Sequence, residues 1–241
     1  MSDPAIGRFW QVDPLATDYV YNSPYAFQEN KLGLGVELEG LELRTFTNKD
    51  GTRGLNVHFK VLNSSSFLSA NGGDKKAEEI AQSIADRTEA SFPGKDADGN
   101  DVSVNVTFEM VDSVDRDNDF FVELVDIVKN EDGSMIKDEI PQGKVRDIGN
   151  PESNRIQIGV LTVFDSDNKE AGRTGTHELL HTGGLTHSTA NGDRSNIMIR
   201  GDKASPNSIN ISPSQRSTVL ESATLKPVSH LIPAGLTNLN Q

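Results

Sequence analysis

The chain has 241 residues, with 36 acidic against 23 basic side chains and a formal charge of −13, the size of one domain or of one domain with a short appendage. So acidic a balance argues against a nucleic-acid-binding surface, which needs basic groups to neutralise phosphates, and against a polybasic membrane anchor. No apolar run approaches the length of a membrane span, and the lack of cysteine removes disulfides, thiolate ligands and cysteine nucleophiles together.

The first stretch of the chain stands apart. The single Trp (Trp10) and all three Tyr (Tyr19, Tyr21, Tyr25) fall at its start, and the rest of the chain has neither type. This break predicts two pieces of different origin, a leader arm over 1–44 and a body over 45–241. Asp-Pro, Ser-Pro and Gly punctuation gives the leader short extended pieces and turns without a helical period. Its opening, MSDPAIGRFWQVDP, lacks the basic-then-apolar pattern of a signal peptide. Asp3-Pro4, Ile6-Gly7-Arg8-Phe9, Asp13-Pro14-Leu15 and Tyr21-Asn22-Ser23-Pro24-Tyr25-Ala26-Phe27 resemble, in order, the closing segment of Rhs/YD-repeat shell proteins, the Rhs-repeat-associated core. The segment departs from that family at its end, where no Asp-Pro self-cleavage motif is recognisable. The resemblance implies that the body is a variable C-terminal toxin domain. It further implies secretion or delivery to a target cell within a larger bacterial protein, and a cognate immunity protein as partner.

In the body, residues 54–62 alternate as a strand does. Residues 73–90 place Ala77, Ile80, Ala81, Ile84 and Ala85 at helical spacing, with Asp74 as the expected N-cap and Pro93-Gly94 as the stop. Strict alternation over 101–110 predicts a half-buried strand, and β-branched residues over 120–128 and 155–164 predict two more. A helix follows around 172–182, then a Gly-rich break and a polar stretch. A last helix covers 212–224, with Ser212 as N-cap and Pro213 at its first position. The order β-α-β-β-β-α-loop-α predicts an α/β (α+β) fold, a mixed sheet with helices packed on it. Acidic stretches at 95–101, 114–119 and 165–170 invite a calcium reading. None fits the EF-hand loop, since Asp96-x-Asp98-x-Asn100 lacks the following Gly and the twelfth-position Glu, and solvated turns are the better reading.

The chemistry concentrates in residues 174–200. His177 and His181 are four apart, so on a helix they share one face and point at one ion. Glu178 sits beside them, where a general base for an attacking water is needed, while Leu179 and Leu180 face the core. Gly184, preceded by Gly183, suits the left-handed residue that ends a helix, and the returning chain brings His187 as a third nitrogen. Three His leave one tetrahedral position open, which marks a catalytic rather than a structural zinc. Asn196-Ile197-Met198-Ile199 is an apolar turn suited to a floor beneath the imidazoles. His58 and His230 read as packed or solvent-exposed side chains.

The spacing His-Glu-x-x-His-x-x-Gly-x-x-His followed by Met198 resembles the metzincin signature of zinc endopeptidases. Over most of residues 54–224 the resemblance implies a zincin-like twisted mixed sheet with an active-site helix and a C-terminal helix. It also implies one catalytic Zn2+ on His177, His181 and His187, catalysis by Glu178, structural support from Gly184 and Met198, and a protein or peptide substrate. Some metzincins add a Tyr ligand two residues after the Met. Arg200 stands there instead, and the body has no Tyr, so oxyanion stabilisation falls mostly to the metal. If the leader blocks the cleft, Glu37, Glu39 or Glu42 would have to reach the metal, since no cysteine exists to do so. Three other readings stay open: self-processing of the Rhs shell, a catalytically silent binding module on this scaffold, and zinc hydrolysis of a bond other than a peptide.

Overall fold

The computed structural model describes residues 2–3, 8–9, 43–47, 52–136, 141–146, 148–149, 153–163, 167–188, 194–200, 205 and 207–225. By internal contacts the chain forms two units, Gly40–Pro227 and, separately, Met1–Glu39 with Val228–Gln241. In the latter, β1 (Ser2–Asp3) pairs antiparallel with β2 (Arg8–Phe9). Glu37, Glu39, Glu42 and His230 lie outside the described residues.

Gly40–Pro227 is built on a mixed seven-stranded sheet among the described residues. At its centre β4 (Arg53–Asn63) runs parallel to β6 (Asp101–Val111). After β4 the chain passes through the short helix α1 (Ser66–Ala70) and the long helix α2 (Gly73–Ser91), the kind of crossover that a parallel pair requires. β3 (Leu43–Thr47) pairs antiparallel with the first half of β4. The hairpin strand β5 (Gly94–Lys95) lies antiparallel on the outer edge of β6. On the other side β7 (Phe121–Val125) pairs in parallel with the second half of β4, and β9 (Arg155–Gly159) with β7. The edge strand β8 (Gly143–Val145) closes the sheet antiparallel to β9.

Period-two alternation decides which face is covered. Phe59 and Val61 of β4, Val122 and Leu124 of β7, and Ile156 and Ile158 of β9 are buried on the helix side. They join Ile80 and Ile84 of α2 in one core, each such side chain contributing roughly 1.5–3 kcal/mol by leaving water. Helix α4 (Lys169–Thr182) adds Leu179 and Leu180 to that core, and α5 (Pro213–Leu225) adds Val219 and Leu220. The approach of α4 to α2 depends on small residues. A Cβ on Gly175 would lie 2.4 Å from Ile84 Cγ1, and the Thr88 and Thr176 hydroxyls pair at 3.0 Å within the contact. Ser212 and Gln215 form a reciprocal capping box at the start of α5, with bonds of 3.2 and 2.8 Å. Arg216 then pins α5 to the end of α2 by donating to the carbonyls of Phe92 at 2.6 Å and Pro93 at 2.9 Å.

The order expected from the sequence appears as β4-α2-β6-β7-β9-α4-α5, with differences in detail. The strand expected over 120–128 stops at Val125, because the Asp126 carboxylate turns back to accept from the Ser65 hydroxyl and the Phe67 N–H. The run expected as a strand over 155–164 stops at Gly159, and Val160–Val163 forms the short helix α3. Two bonds hold that turn against β-branched propensity, Leu161 N–H to the Asp126 carbonyl and the Thr162 hydroxyl to the Gly159 carbonyl. The N-cap of α2 is Gly72 rather than Asp74, since the helix begins at Gly73, two residues before the start that an Asp74 cap implies; Asp74 lies in its first turn, where the dipole favours a carboxylate. Asp96 and Asp115 turn their carboxylates onto nearby backbone N–H groups, so the acidic stretches at 95–101 and 114–119 are side-chain-closed turns; the start of the third, at 165–166, lies outside the described residues. Among the described residues, no helix is long and apolar enough to cross a membrane.

Candidate metal centre

Helix α4 carries His177 and His181 one turn apart, and its end sets the path to His187. Gly184 takes a left-handed φ of +88°. Its N–H donates to the His181 carbonyl at 3.0 Å while Leu185 N–H donates to the Leu180 carbonyl at 3.2 Å, the paired bonds of a Schellman turn. A residue with a Cβ is disfavoured in that conformation. The turn aims the Leu185 carbonyl at His181 and returns the chain so that His187 reaches the other two rings.

Two backbone carbonyls fix the tautomers. His181 Nδ1 lies 2.6 Å from the Leu185 oxygen, and His177 Nδ1 lies 2.8 Å from the Ile197 oxygen. A carbonyl only accepts, so each Nδ1 carries the proton and each Nε2 presents a lone pair. Those lone pairs converge: Nε2 of His181 is 3.1 Å from that of His177 and 3.3 Å from that of His187. Ligand nitrogens at about 2.0–2.1 Å from a tetrahedral zinc stand roughly 3.3 Å apart. The donor set therefore fits zinc in both chemistry and spacing. Burial, reinforced by His181, lowers His177 to about 3, and burial lowers His181 to about 4 against the pull of Leu185. Both imidazoles stay neutral, the ligating form, near pH 7.

Met198 is fully buried. Its N–H donates to Asn196 Oδ1 and its carbonyl accepts from Ser188 N–H, both at 2.8 Å. The turn around it thus works through its backbone, which presents the neighbouring Ile197 oxygen to His177. Glu178 lies under the edge strand β8. Burial raises its carboxyl to about 8, while the Val145 N–H and the positive Arg173 pull it the other way. A Cβ on Gly143 would lie 2.8 Å from Glu178 Cγ and 2.7 Å from Thr174 Cγ2, so this strand reaches the carboxylate only with glycine there. The His side chains and Glu178 line a cleft of about 900 Å³. His58 stands apart in β4, half-buried, with Nδ1 2.6 Å from the Thr107 hydroxyl.

The sequence reading missed several contributors to this centre. The Leu185 and Ile197 carbonyls are backbone groups and carry no residue signal. β8 is too short to show a period. Arg173 is buried and donates to Gln142 Oε1 at 2.7 Å; its place four residues before His177 on the same helix face was the available signal.

No protein-family model matches the chain, and no curated protein matches it. Among solved structures, the archaemetzincin of Methanopyrus kandleri is similar at 16% identity, covering 68% of this chain and 95% of that one, with a TM-score of 0.39. The archaemetzincin of Archaeoglobus fulgidus, solved in complex with malonate, is similar at 14% identity over 73% of this chain and 96% of that one, with a TM-score of 0.33. A chain described as part of a chaperone–substrate complex is similar at 9% identity over 77% of this chain and 36% of that one, with a TM-score of 0.44.

Proposed function

We propose that this protein is a zinc-dependent endopeptidase in which His177, His181 and His187 hold the metal and Glu178 moves the protons of peptide hydrolysis. The observation that carries this reading is the convergence of Nε2 lone pairs, at 3.1 and 3.3 Å, beside a buried carboxylate in an open cleft. Zinc bound by these nitrogens supplies Lewis-acid polarisation of the scissile carbonyl and of the attacking water. Glu178 takes a proton from that water on a carboxylate oxygen and returns it to the leaving amine, the work of a general base that then acts as acid. Val145 N–H and Arg173 favour its charged form, whereas burial favours its protonated form, so the group is placed to pass between the two.

β8 orients the substrate. The Gln142 carbonyl and the Arg146 N–H are spent on β9, so by alternation the backbone groups of Gly143 and Val145 point away from it. The Val145 N–H is taken by Glu178, so an extended peptide added to this edge would pair with the Gly143 groups and the Val145 carbonyl, which lays its backbone across the cleft beside Glu178.

The biological setting we propose rests on the leader. Its resemblance to the Rhs-associated core supports a toxin delivered within a larger bacterial protein, acting on proteins of a target cell and countered by an immunity protein. Mass spectrometry separates this from shell processing. An intact chain that degrades other proteins supports the toxin, whereas a zinc-dependent cut between residues 30 and 50 supports processing. The activity itself is tested on casein: zinc-loaded protein should cleave it, a chelator should stop cleavage, and added zinc should restore it. Cleavage indifferent to the chelator would overturn the proposal.

A further inference from the structure

We propose that the cleft selects peptides carrying aspartate or glutamate side chains next to the scissile bond, an inference that rests on the peptidase reading and names its substrate class. Acids outnumber bases 36 to 23 in this chain, yet the described residues that line the cleft reverse that balance. Lys144, Arg146, Arg173 and Arg200 line it, and Glu178 is the only acid among the described lining residues. Grooves lined by one sign of charge concentrate ligands of the other.

The positive groups come from separate elements. Lys144 lies on β8 and Arg146 directly after its end, two residues apart. Arg173 lies on α4, and Arg200 follows the turn around Met198. Arg173 is buried and oriented by Gln142 Oε1 at 2.7 Å, with Glu170 at 3.4 Å, so its charge is preorganised rather than mobile. The contact of Lys144 is with the neutral Asn130 Oδ1 at 3.4 Å. Arg200 lines the same cleft as His187. A substrate strand laid along β8 would pass between these groups, and carboxylates on it would meet guanidinium and ammonium donors suited to charge-assisted bonds. The rest of the acidic surface repels such a peptide, but over a range of only about 8–10 Å at physiological salt, so selection belongs to the cleft.

The test uses the full chain as the zinc-loaded Glu178→Gln variant, which holds peptide without consuming it. End-blocked fluorescent peptides with Asp or Glu on both sides of the central bond are compared with their Asn and Gln isosteres by anisotropy. The acidic peptides should bind about tenfold tighter at 0.15 M salt, the effect of two partly exposed ion pairs. The difference should shrink at 1 M salt. It should shrink on adding Lys144→Gln and Arg146→Gln, which leaves Arg173 and Arg200 in place, and shrink further on adding Lys144→Glu and Arg146→Glu, with thermal unfolding checked for each. Equal binding of acidic and amide peptides would overturn the inference, as would a preference confined to peptides with a free C-terminal carboxylate. Wild-type turnover keeps the two proposals apart. Acid-selective binding with no peptide ever cleaved defeats the peptidase reading alone, and cleavage of both peptide sets at equal kcat/KM defeats the acidic preference alone.

Discussion

His177 and His181 owe their ligating form to two carbonyl oxygens, those of Ile197 and Leu185, and Glu178 owes its position to a glycine that lets β8 lie against it. The first prediction concerns the carboxylate. Glu178→Gln should keep its zinc and lose roughly 10²–10⁴-fold in kcat, the usual share of a general base; stopped-assay kinetics beside elemental analysis would read both. The second concerns Gly143. In Gly143→Ala the new methyl meets Glu178 and Thr174 at under 3 Å, so the strand must retreat. Zinc content should stay unchanged while kcat/KM falls by at least about tenfold, as misplacement of a catalytic group near the chemistry does. A variant with wild-type kcat/KM would show that β8 does not set the carboxylate. At this scale the sequence exposed the side chains that make the centre, because their types and spacing carry the chemistry. It was blind to the carbonyls that orient them, since every residue has one.

Among the elements, α4 is held between α2 and β8 by close contacts, and its C-terminal turn decides whether His187 reaches the other imidazoles. Gly175→Ala should destabilise the fold by roughly 1–3 kcal/mol, the cost of overpacking a contact in which Ile84 already stands 2.4 Å from the new atom; urea unfolding would measure it. Gly184→Ala places a Cβ at a φ of +88° and should cost about 1–2 kcal/mol. Because that turn positions His187, zinc affinity should fall with it, whereas Gly175→Ala should leave zinc affinity largely intact. Helices α2 and α5 were legible from apolar spacing and from the Ser212-Pro213 start. The ends of β7 and β9 were not, because the bonds that terminate them come from Asp126, distant in sequence from Ser65 and Phe67. Local propensity favours strand through Val160–Val163, and tertiary contacts make it a helix.

Across the whole molecule, the sheet face opposite the helices carries a charge cluster remote in sequence from the metal-binding residues. Glu123 receives Arg155 at 2.6 Å and Arg116 at 2.9 Å, and the Arg116 guanidinium stands 5.7 Å from the Phe121 ring centre. Burial alone would raise the Glu123 carboxyl, but these hydrogen bonds and charges outweigh it and hold it below its ordinary 4.5. A carboxyl lowered by folding stabilises the native state fully above its unfolded value, and that stability is lost as pH falls through the folded value. Wild-type protein should therefore exceed Glu123→Gln by about 1–3 kcal/mol near neutrality, and the gap should close on acidification below about pH 4.5. Denaturant titrations at several pH values would check this, and a gap that widens in acid would contradict it. The fold class was legible from the order of elements. The gathering of four bases among the described lining residues of the cleft was not, because they are scattered between residues 144 and 200 and only the topology brings them together.

Metal stoichiometry tests the centre most directly. After zinc reconstitution and removal of free metal, elemental analysis should find one zinc per chain in the wild type. Uptake should fall sharply in His177→Ala, His181→Ala and His187→Ala while each remains folded. A folded wild-type chain that takes up no zinc, or three variants that bind it as tightly as the wild type, would contradict the proposal that these imidazoles hold a catalytic metal.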